Sequence, residues 1–506
     1  MFFTPHLIPK ARVSLTSFIS VKRHRRYNHS SKSNPALFRT SLPNPRLDYR
    51  GISENVVQKI NNVLNRKAPL PLDAIHDVAR MYTEFKRISH ELNIKRNARS
   101  VIGEQIRKSS GDGNAVAKNA ALTRATKLKE EVLELESTLA EVEETLLTLA
   151  LTIPNDTHPD SPLGPEDAAI TLSVHGPEPI PPNVERDHVS ICRKLGLIDL
   201  ESGSTVTGSS WYYLLNEAAL LEVALTNYAM SIAVKHGFTP VMTPDVVRSD
   251  IARRCGFQPR DSSDPPVPQM YHIKPLSTST SPELVLSGTS EIPLAGMFAN
   301  KVFPSTILPL KVVGLGHAFR AEAGARGTDT RGLYRVHQFT KVELFAVTTE
   351  EGSGAMMAEL MEVQKSILGG LGFPFRVLNM PTEELGASAY QKYDMEAWMP
   401  GRGNWGEVSS LSNCTDYQAR RLHIRYRPQP PKRQVDEAQI SPSSSALPFV
   451  HTLNGTAAAI PRLIIALLEN GVVFNEQGVI NAIQLPKALK PFWIDEENRR
   501  GIVRWV

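Results

Sequence analysis

Cysteine is scarce in this chain. Three occur in 506 residues, Cys192, Cys255 and Cys414, far apart and with no CxxC pair. That excludes a disulfide framework and argues against a structural zinc site, leaving a reducing compartment as the simplest setting. No run approaches eighteen consecutive apolar residues, so no membrane partner is expected. A third absence is local. Residues 1–47 contain no Asp or Glu, yet hold nine Lys or Arg and seven Ser. Without that segment the formal charge falls from +5 to −4, so a nucleic-acid contact elsewhere must rest on local patches. A basic, Ser-rich, acid-free N-terminus has the composition of a mitochondrial transit peptide; a disordered RNA-binding tail is the alternative. Its apolar stretches are too short and too interrupted by charge for a secretory signal.

What is present is ordinary in bulk, with 41% hydrophobic and 22% charged residues, and informative in pattern. After a short lead-in (48–70), two helical stretches are predicted, Asp73–Ser109 and Asn114–Leu151, broken at Gly111-Asp112-Gly113. In the second, Ala121, Ala125, Leu128, Val132, Leu135, Leu139, Val142, Leu146 and Leu149 alternate spacings of four and three. That a/d seam demands a partner helix, which the first stretch supplies. The pair forms an antiparallel hairpin about 50 Å long. Its expected tip is basic: Lys95 to Lys129 holds nine Lys or Arg against Glu104 and Asp112, whereas Glu130 to Glu144 holds seven acids. Arg96, Arg99, Arg107, Lys108, Lys118 and Arg124 are therefore candidates for a phosphate backbone. A coiled coil with a plainly solvated charged face fits the pattern equally well. The Pro-rich stretch 153–187 reads as a linker. Beyond it, 188–506 mixes a helix near Ser209–His236, many short strands, and two surface loops, Pro259–Gln269 and Pro428–Ser445.

Leu310–Val347 carries the chemistry. It reads as a β-hairpin with strands near 310–320 and 333–346. Alternation puts Val336, Val342 and Leu344 on an apolar face and Arg335, Phe339, Lys341 and Glu343 on the other. Arg320 and Glu322 share a face, and Arg326 and Arg331 lie in the Gly-rich loop. A sheet face rarely carries this much charge unless it binds something charged. Arginine suits phosphate, and Phe339 can stack on a purine.

Phe319-Arg320-Ala321-Glu322-Ala323-Gly324, followed by Thr330-Arg331-Gly332-Leu333-Tyr334-Arg335-Val336-His337-Gln338-Phe339 and Lys341-Val342-Glu343, closely resembles motif 2 of the class II seryl-tRNA synthetases. Gly288-Thr289-Ser290-Glu291 resembles that family's TxE loop. Gly406-Glu407-Val408-Ser409-Ser410 with Asn413 and Thr415-Asp416-Tyr417-Gln418-Ala419-Arg420-Arg421 resembles its ESSS-SN-TD-QARR segment. His451-Thr452-Leu453-Asn454-Gly455-Thr456-Ala457 with Pro461-Arg462 resembles motif 3. The helix ending at His236 with the following Gly237–Pro244 resembles motif 1, the family's dimer element. The resemblance spans roughly 48–480.

The resemblance implies an α+β fold, an antiparallel-sheet catalytic domain (188–506) behind a coiled-coil tRNA-binding arm (48–152); composition makes 1–47 the transit peptide ahead of it. It implies a homodimer that joins serine to tRNA(Ser) through a seryl-adenylate, with ATP and Mg²⁺; the N-terminal composition adds the mitochondrial matrix as its setting. Arg320 would hold the α-phosphate and the serine carboxylate, and Arg462 the γ-phosphate. The nucleotide would also meet Ala321, Glu322, Arg331, Val336, Phe339, Glu407, Val408, Ser409 and Ser410, with Glu407 and Ser410 beside Mg²⁺. Serine would meet Thr289, Ser290, Glu291, Asn454 and Thr456, with Glu343 taking its ammonium. No segment looks like an editing domain. Strict alternation puts Glu407 and Ser410 on opposite faces, so a bulge is expected between them. A synthetase-like protein without catalysis, or another class II specificity, are the rivals. The retained pocket residues disfavour the first, and the hairpin with the TxE element disfavours the second.

Overall fold

The computed structural model describes residues 42–71, 73–109, 115–257, 269–274, 282–322, 331–429 and 447–506. The Gly111-Asp112-Gly113 turn, the 323–330 loop with Arg326, and most of the two surface loops lie outside them, as does most of the acid-free N-terminal segment.

Helices α1 (Tyr49–Glu54) and α2 (Val56–Asn65) precede the two long helices α3 (Asp73–Ser109) and α4 (Ala115–Leu151). Both long helices match the seam's expectation within a residue. None of the nine seam residues of α4 is exposed, because each is turned onto α3. At the base, Ile75, Val78, Leu146 and Ala150 join Ile52 and Val63 in a small core. Toward the tip, Lys95 and Arg96 are paired with Glu131 and Glu136 of the opposite helix at 2.7 and 2.8 Å. The acidic run of α4 thus neutralises part of the basic candidate patch. Among the described residues, Arg99, Arg107, Lys108, Lys118 and Arg124 are exposed with no carboxylate partner.

The arm's root is tied down. Arg66 donates to the carbonyls of Asn155, Gly386 and Ala389, and Asn155 Nδ2 donates to the carbonyls of Ser388 and Cys414 and to Thr415 Oγ1. Residues 42–47, expected to belong to the N-terminal extension, lie on the same body: Arg254 and His423 bond the carbonyls of Pro43 and Asn44.

The body is built on eight strands: β1 (Ile170–His175), β2 (Thr239–Met242), β3 (Leu310–Phe319), β4 (Gln338–Thr348), β5 (Phe375–Asn379), β6 (Gln391–Met399), β7 (Asn404–Asn413) and β8 (His451–Ala459). Their order is β1-β5-β6-β7-β8-β4-β3-β2, antiparallel except for the β2–β3 pair. The stretch 153–187 is therefore more than a linker. Ile170–His175 pairs with β5 at the sheet edge, where a neighbouring proline costs no ladder bond.

Helices α5 (His188–Leu195), α6 (Leu200–Val206), α7 (Asn216–Lys235), α8 (Ser249–Arg254), α9 (Glu291–Phe298), α10 (Ser353–Gly369), α11 (Tyr417–Leu422) and α12 (Ile460–Gly471) complete the body. Period 2 divides the sheet's side chains between two cores. Val342, Leu344 and Ala346 meet α7, α10 and α12, while Phe345 and Val347 meet α8, α9 and α11. Helix α7 starts later than expected, at Asn216 rather than Ser209. Tyr213–Leu214 is drawn into a ladder with Ile198–Asp199, and Asn216 takes a positive φ while bonding the Gly196 carbonyl. Although α7 is long and apolar enough to cross a membrane, one face packs on β4 and β8.

Candidate functional site

The hairpin β3–β4 forms the floor. Its regular pairing ends at Phe319 and Gln338, short of the expected strand over 333–337. Residues 331–337 turn instead, so Tyr334, Arg335 and Val336 all line one cavity despite their alternating positions. The same cavity is lined by Arg320, Glu322, Phe339 and Lys341 from the hairpin, and by Glu407, Val408, Ser409 and Ser410 from β7. Thr456 of β8 and Arg462 of α12 close it.

The anticipated bulge is present. Pairing of β6 with β7 runs Met395 to Ser409 and then Glu396 to Glu407, skipping Val408. The extra residue lets Glu407 and Ser410 face the same space. Val408 is buried in the core and Ser409 Oγ turns back to the Thr456 carbonyl, so both reach the cavity mainly through backbone. A second slip in β4–β8 skips Ala457 and sets Glu343 opposite Thr456.

Charge in the cavity is arranged in pairs. Arg462 donates to the Glu407 carboxylate at 3.2 Å and to its carbonyl at 2.9 Å. Burial alone would raise the Glu407 carboxyl, but Arg462, Lys392 and Arg320 outweigh it and lower it to about 2. Glu407 is thus an ionised oxygen donor beside the Ser410 hydroxyl, the donor type that suits Mg²⁺. Burial, then Arg462, lower the Arg320 guanidinium; its Cζ stands 5.3 Å above the Phe339 ring and its Nε donates to the Gly288 carbonyl. Tyr334 lies between Arg402 and Arg462, whose Cζ atoms are 4.2 and 4.7 Å from its ring centre.

Next to this cavity lies a smaller, drier set. Lys341 Nζ is 2.7 Å from Glu343 Oε2 and 3.2 Å from Thr289 Oγ1. Ser290 Oγ is buried without a partner. Glu291 accepts from Gln418, whose own oxygen accepts from Thr452. Burial first, then the like charge of Glu343, push the Glu291 carboxyl up to about 7. Asn454 Nδ2 donates to Cys414 Sγ at 3.5 Å, which leaves its amide oxygen for another donor.

Two sequence candidates are placed differently. Ala321 and Arg331 do not line the cavity, and Arg331 is held at its rim by Asp187 at 3.2 Å. The sequence candidates leave out Leu333, Tyr334, Arg335, Lys341, Ala459 and Pro461, which also line the cavity, and Gln418, which bonds Glu291. Lys341 was legible: it shares the charged face with Glu343, two positions away. Gln418 was not, since its bond to Glu291 joins elements 127 residues apart.

Two stretches match family models, the seryl-tRNA synthetase N-terminal domain over 47–157 and the class II tRNA synthetase core domain (G, H, P, S and T) over 271–471. A serine–tRNA ligase of Treponema denticola is 40% identical over 88% of this chain and 98% of its own length. The chain belongs to the seryl-tRNA synthetases. As in that family, it is a class II serine–tRNA ligase. The mitochondrial serine–tRNA ligase of Schizosaccharomyces pombe is also 40% identical, over 88% of each chain. The structure of seryl-tRNA synthetase from Pyrococcus horikoshii, complexed with ATP, has a TM-score of 0.74 and 32% identity, covering 88% of this chain and 98% of that one.

Proposed function

We propose that this ligase charges tRNA(Ser) in the mitochondrial matrix, as a homodimer, by forming seryl-adenylate from ATP with Mg²⁺. The observation that carries the chemistry is the convergence of Arg320, Glu407 and Arg462 on one cavity with Lys341, Glu343 and Thr289 adjoining it. Phe339 would stack an adenine, and Arg320 would serve both sets, since it lines the cavity and donates to the Gly288 carbonyl next to Thr289. There it can neutralise both the α-phosphate and the carboxylate that attacks it in line, as charge builds on phosphorus. Glu407 and Ser410 would hold Mg²⁺, which supplies charge neutralisation on the polyphosphate. The remaining work is positioning. Glu343 would take the serine ammonium, and the freed Asn454 oxygen with Thr456 would meet the hydroxyl. A pocket that bonds a hydroxyl rejects alanine, because its polar groups are left unpaired. The tRNA 3′-hydroxyl then attacks the adenylate carbonyl.

The mitochondrial setting is supported by the acid-free N-terminus and the mitochondrial relatives. The dimer is supported by exposed apolar residues on α7 and on the edge strand β2, among them Val223, Val234 and Met242. ATP–pyrophosphate exchange with each of the twenty amino acids tests the activity; exchange with an amino acid other than serine sinks it. Imaging of the tagged full-length chain against one lacking residues 1–41 tests the compartment, and light scattering tests the dimer.

A further inference from the structure

The N-terminus of α5 holds a group of side chains that the reaction above does not use. Asp187, His188 and Glu469 place their ligand-type atoms within 4.8 Å of one another. The spacing is that of a metal site, but both ring nitrogens of His188, both oxygens of Glu469 and Asp187 Oδ1 already have protein partners. Glu469, almost fully buried, accepts the His188 backbone N–H and meets His188 Nδ1, both at 3.1 Å, through Oε1. Its Oε2 accepts the Gly401 N–H at 2.8 Å. On the far side of the ring, His188 Nε2 lies 3.3 Å from the Leu333 backbone N–H. An amide N–H can only donate, so Nε2 is the acceptor and the ring proton sits on Nδ1, where Glu469 takes it. Asp187, next in the chain, caps α5 at Ser190 and meets Arg331.

These bonds land on two residues of one short segment. Arg331 and Leu333 flank Gly332, which has a φ of +69° and no room for a Cβ, since one would collide with His188 Nε2. Directly after them come Tyr334, Arg335 and Val336, which form a wall of the nucleotide cavity. Arg462 grips the same segment, its Nε donating to the Tyr334 carbonyl.

We propose that His188, its tautomer fixed by buried Glu469, is a positioning residue for ATP: by bonding Leu333 N–H it sets the limb 331–336 against the cavity. It touches no reacting atom. The inference rests on the reading of this cavity as the ATP site. Without the Nε2 acceptor, Leu333 N–H is buried and unpaired, the limb loosens, and nucleotide affinity falls while the serine set, built on other elements, does not move.

The test is steady-state ATP–pyrophosphate exchange with the full-length enzyme, comparing His188→Asn with His188→Gln. A Gln amide oxygen reaches the position of Nε2 and can accept from Leu333. An Asn amide is shorter, remains at the level of Nδ1, and keeps only the Glu469 side. The Asn variant is expected to raise KM for ATP about tenfold and the Gln variant less than about threefold, with KM for serine within about twofold in both. Equal effects of the two variants, or a parallel rise for serine, would mean a merely structural ring and would overturn the proposal. Should the Asn variant not fold, Asp187→Asn keeps the helix cap and removes the charge from Arg331. A rise in KM for ATP of about threefold supports the limb, and an unchanged value overturns it. Absent exchange in the wild type would bring down the ATP-site reading and this inference together; normal wild-type exchange with an unmoved KM in the Asn variant brings down this inference alone.

Discussion

Lys341 Nζ lies 2.7 Å from Glu343 Oε2, and the two side chains are 10% and 1% exposed. Lys341→Ala leaves a carboxylate buried without its nearest cation and is expected to cost about 3 kcal/mol of stability, read by urea unfolding. Glu343→Ala is expected to abolish serine-dependent exchange; near-normal turnover at low serine would refute its assigned role.

The Glu291 carboxyl, raised to about 7, gives a pH dependence with a definite sign. An arriving ammonium favours the ionised carboxylate, so binding is coupled to loss of a proton below pH 7. KM for serine is expected to rise as pH falls from 7 to 6, and to be flat above 7 until serine's own amine titrates. In Glu291→Gln the slope should vanish. The same shift bears on folding. A carboxyl raised in the folded state keeps its proton where the unfolded chain has lost it, so this group costs stability progressively as pH rises toward 7.

Arg462 both pairs with Glu407 and supports Tyr334. Arg462→Ala is expected to lower kcat/KM for ATP by about 100-fold, and Arg462→Lys by less, since charge survives but the planar fork does not. An alanine variant with an unchanged value would remove Arg462 from the nucleotide's reach.

On the arm, reversal of Arg107, Lys108, Lys118 and Arg124 to Glu is expected to leave pyrophosphate exchange intact and to cut tRNA charging by about tenfold or more at moderate salt. Charging that survives this change would place the tRNA elsewhere. These substitutions are preferable to removing the arm, because Ile75 and Leu146 belong to the core at its base.

All three cysteines are buried, and burial raises each thiol well above its ordinary range. The native enzyme is expected to show no reaction with a disulfide reagent, and three thiols after unfolding. Rapid labelling of the native state would contradict the packing around Cys414.

Much of this was legible in sequence because it rests on local periodicity. The a/d seam gave both arm helices, and the clash between alternation and the Glu407-Ser410 pair pointed to a bulge that is there. What escaped depends on distant partners. Ile170–His175 becomes a strand because β5 has a free edge, which no pattern among the surrounding prolines reveals. Tyr334 to Val336 alternate like a strand yet turn, with Arg462 bonded to the Tyr334 carbonyl and His188 to the Leu333 N–H. Arg331 sits at the rim because Asp187, 144 residues away, holds it there.

Arg66 and Asn155 have a mechanical consequence. With carbonyls on both sides of the junction tied to these two side chains, the arm has no free pivot where it leaves the body. A load applied at the tip by a docked RNA must be absorbed as curvature along α3 and α4, or else be passed into the loop 385–390 and the Cys414–Thr415 corner. Cys414, in that corner, accepts from Asn454 Nδ2 at 3.5 Å, so strain in the arm would be felt at a residue proposed to meet serine.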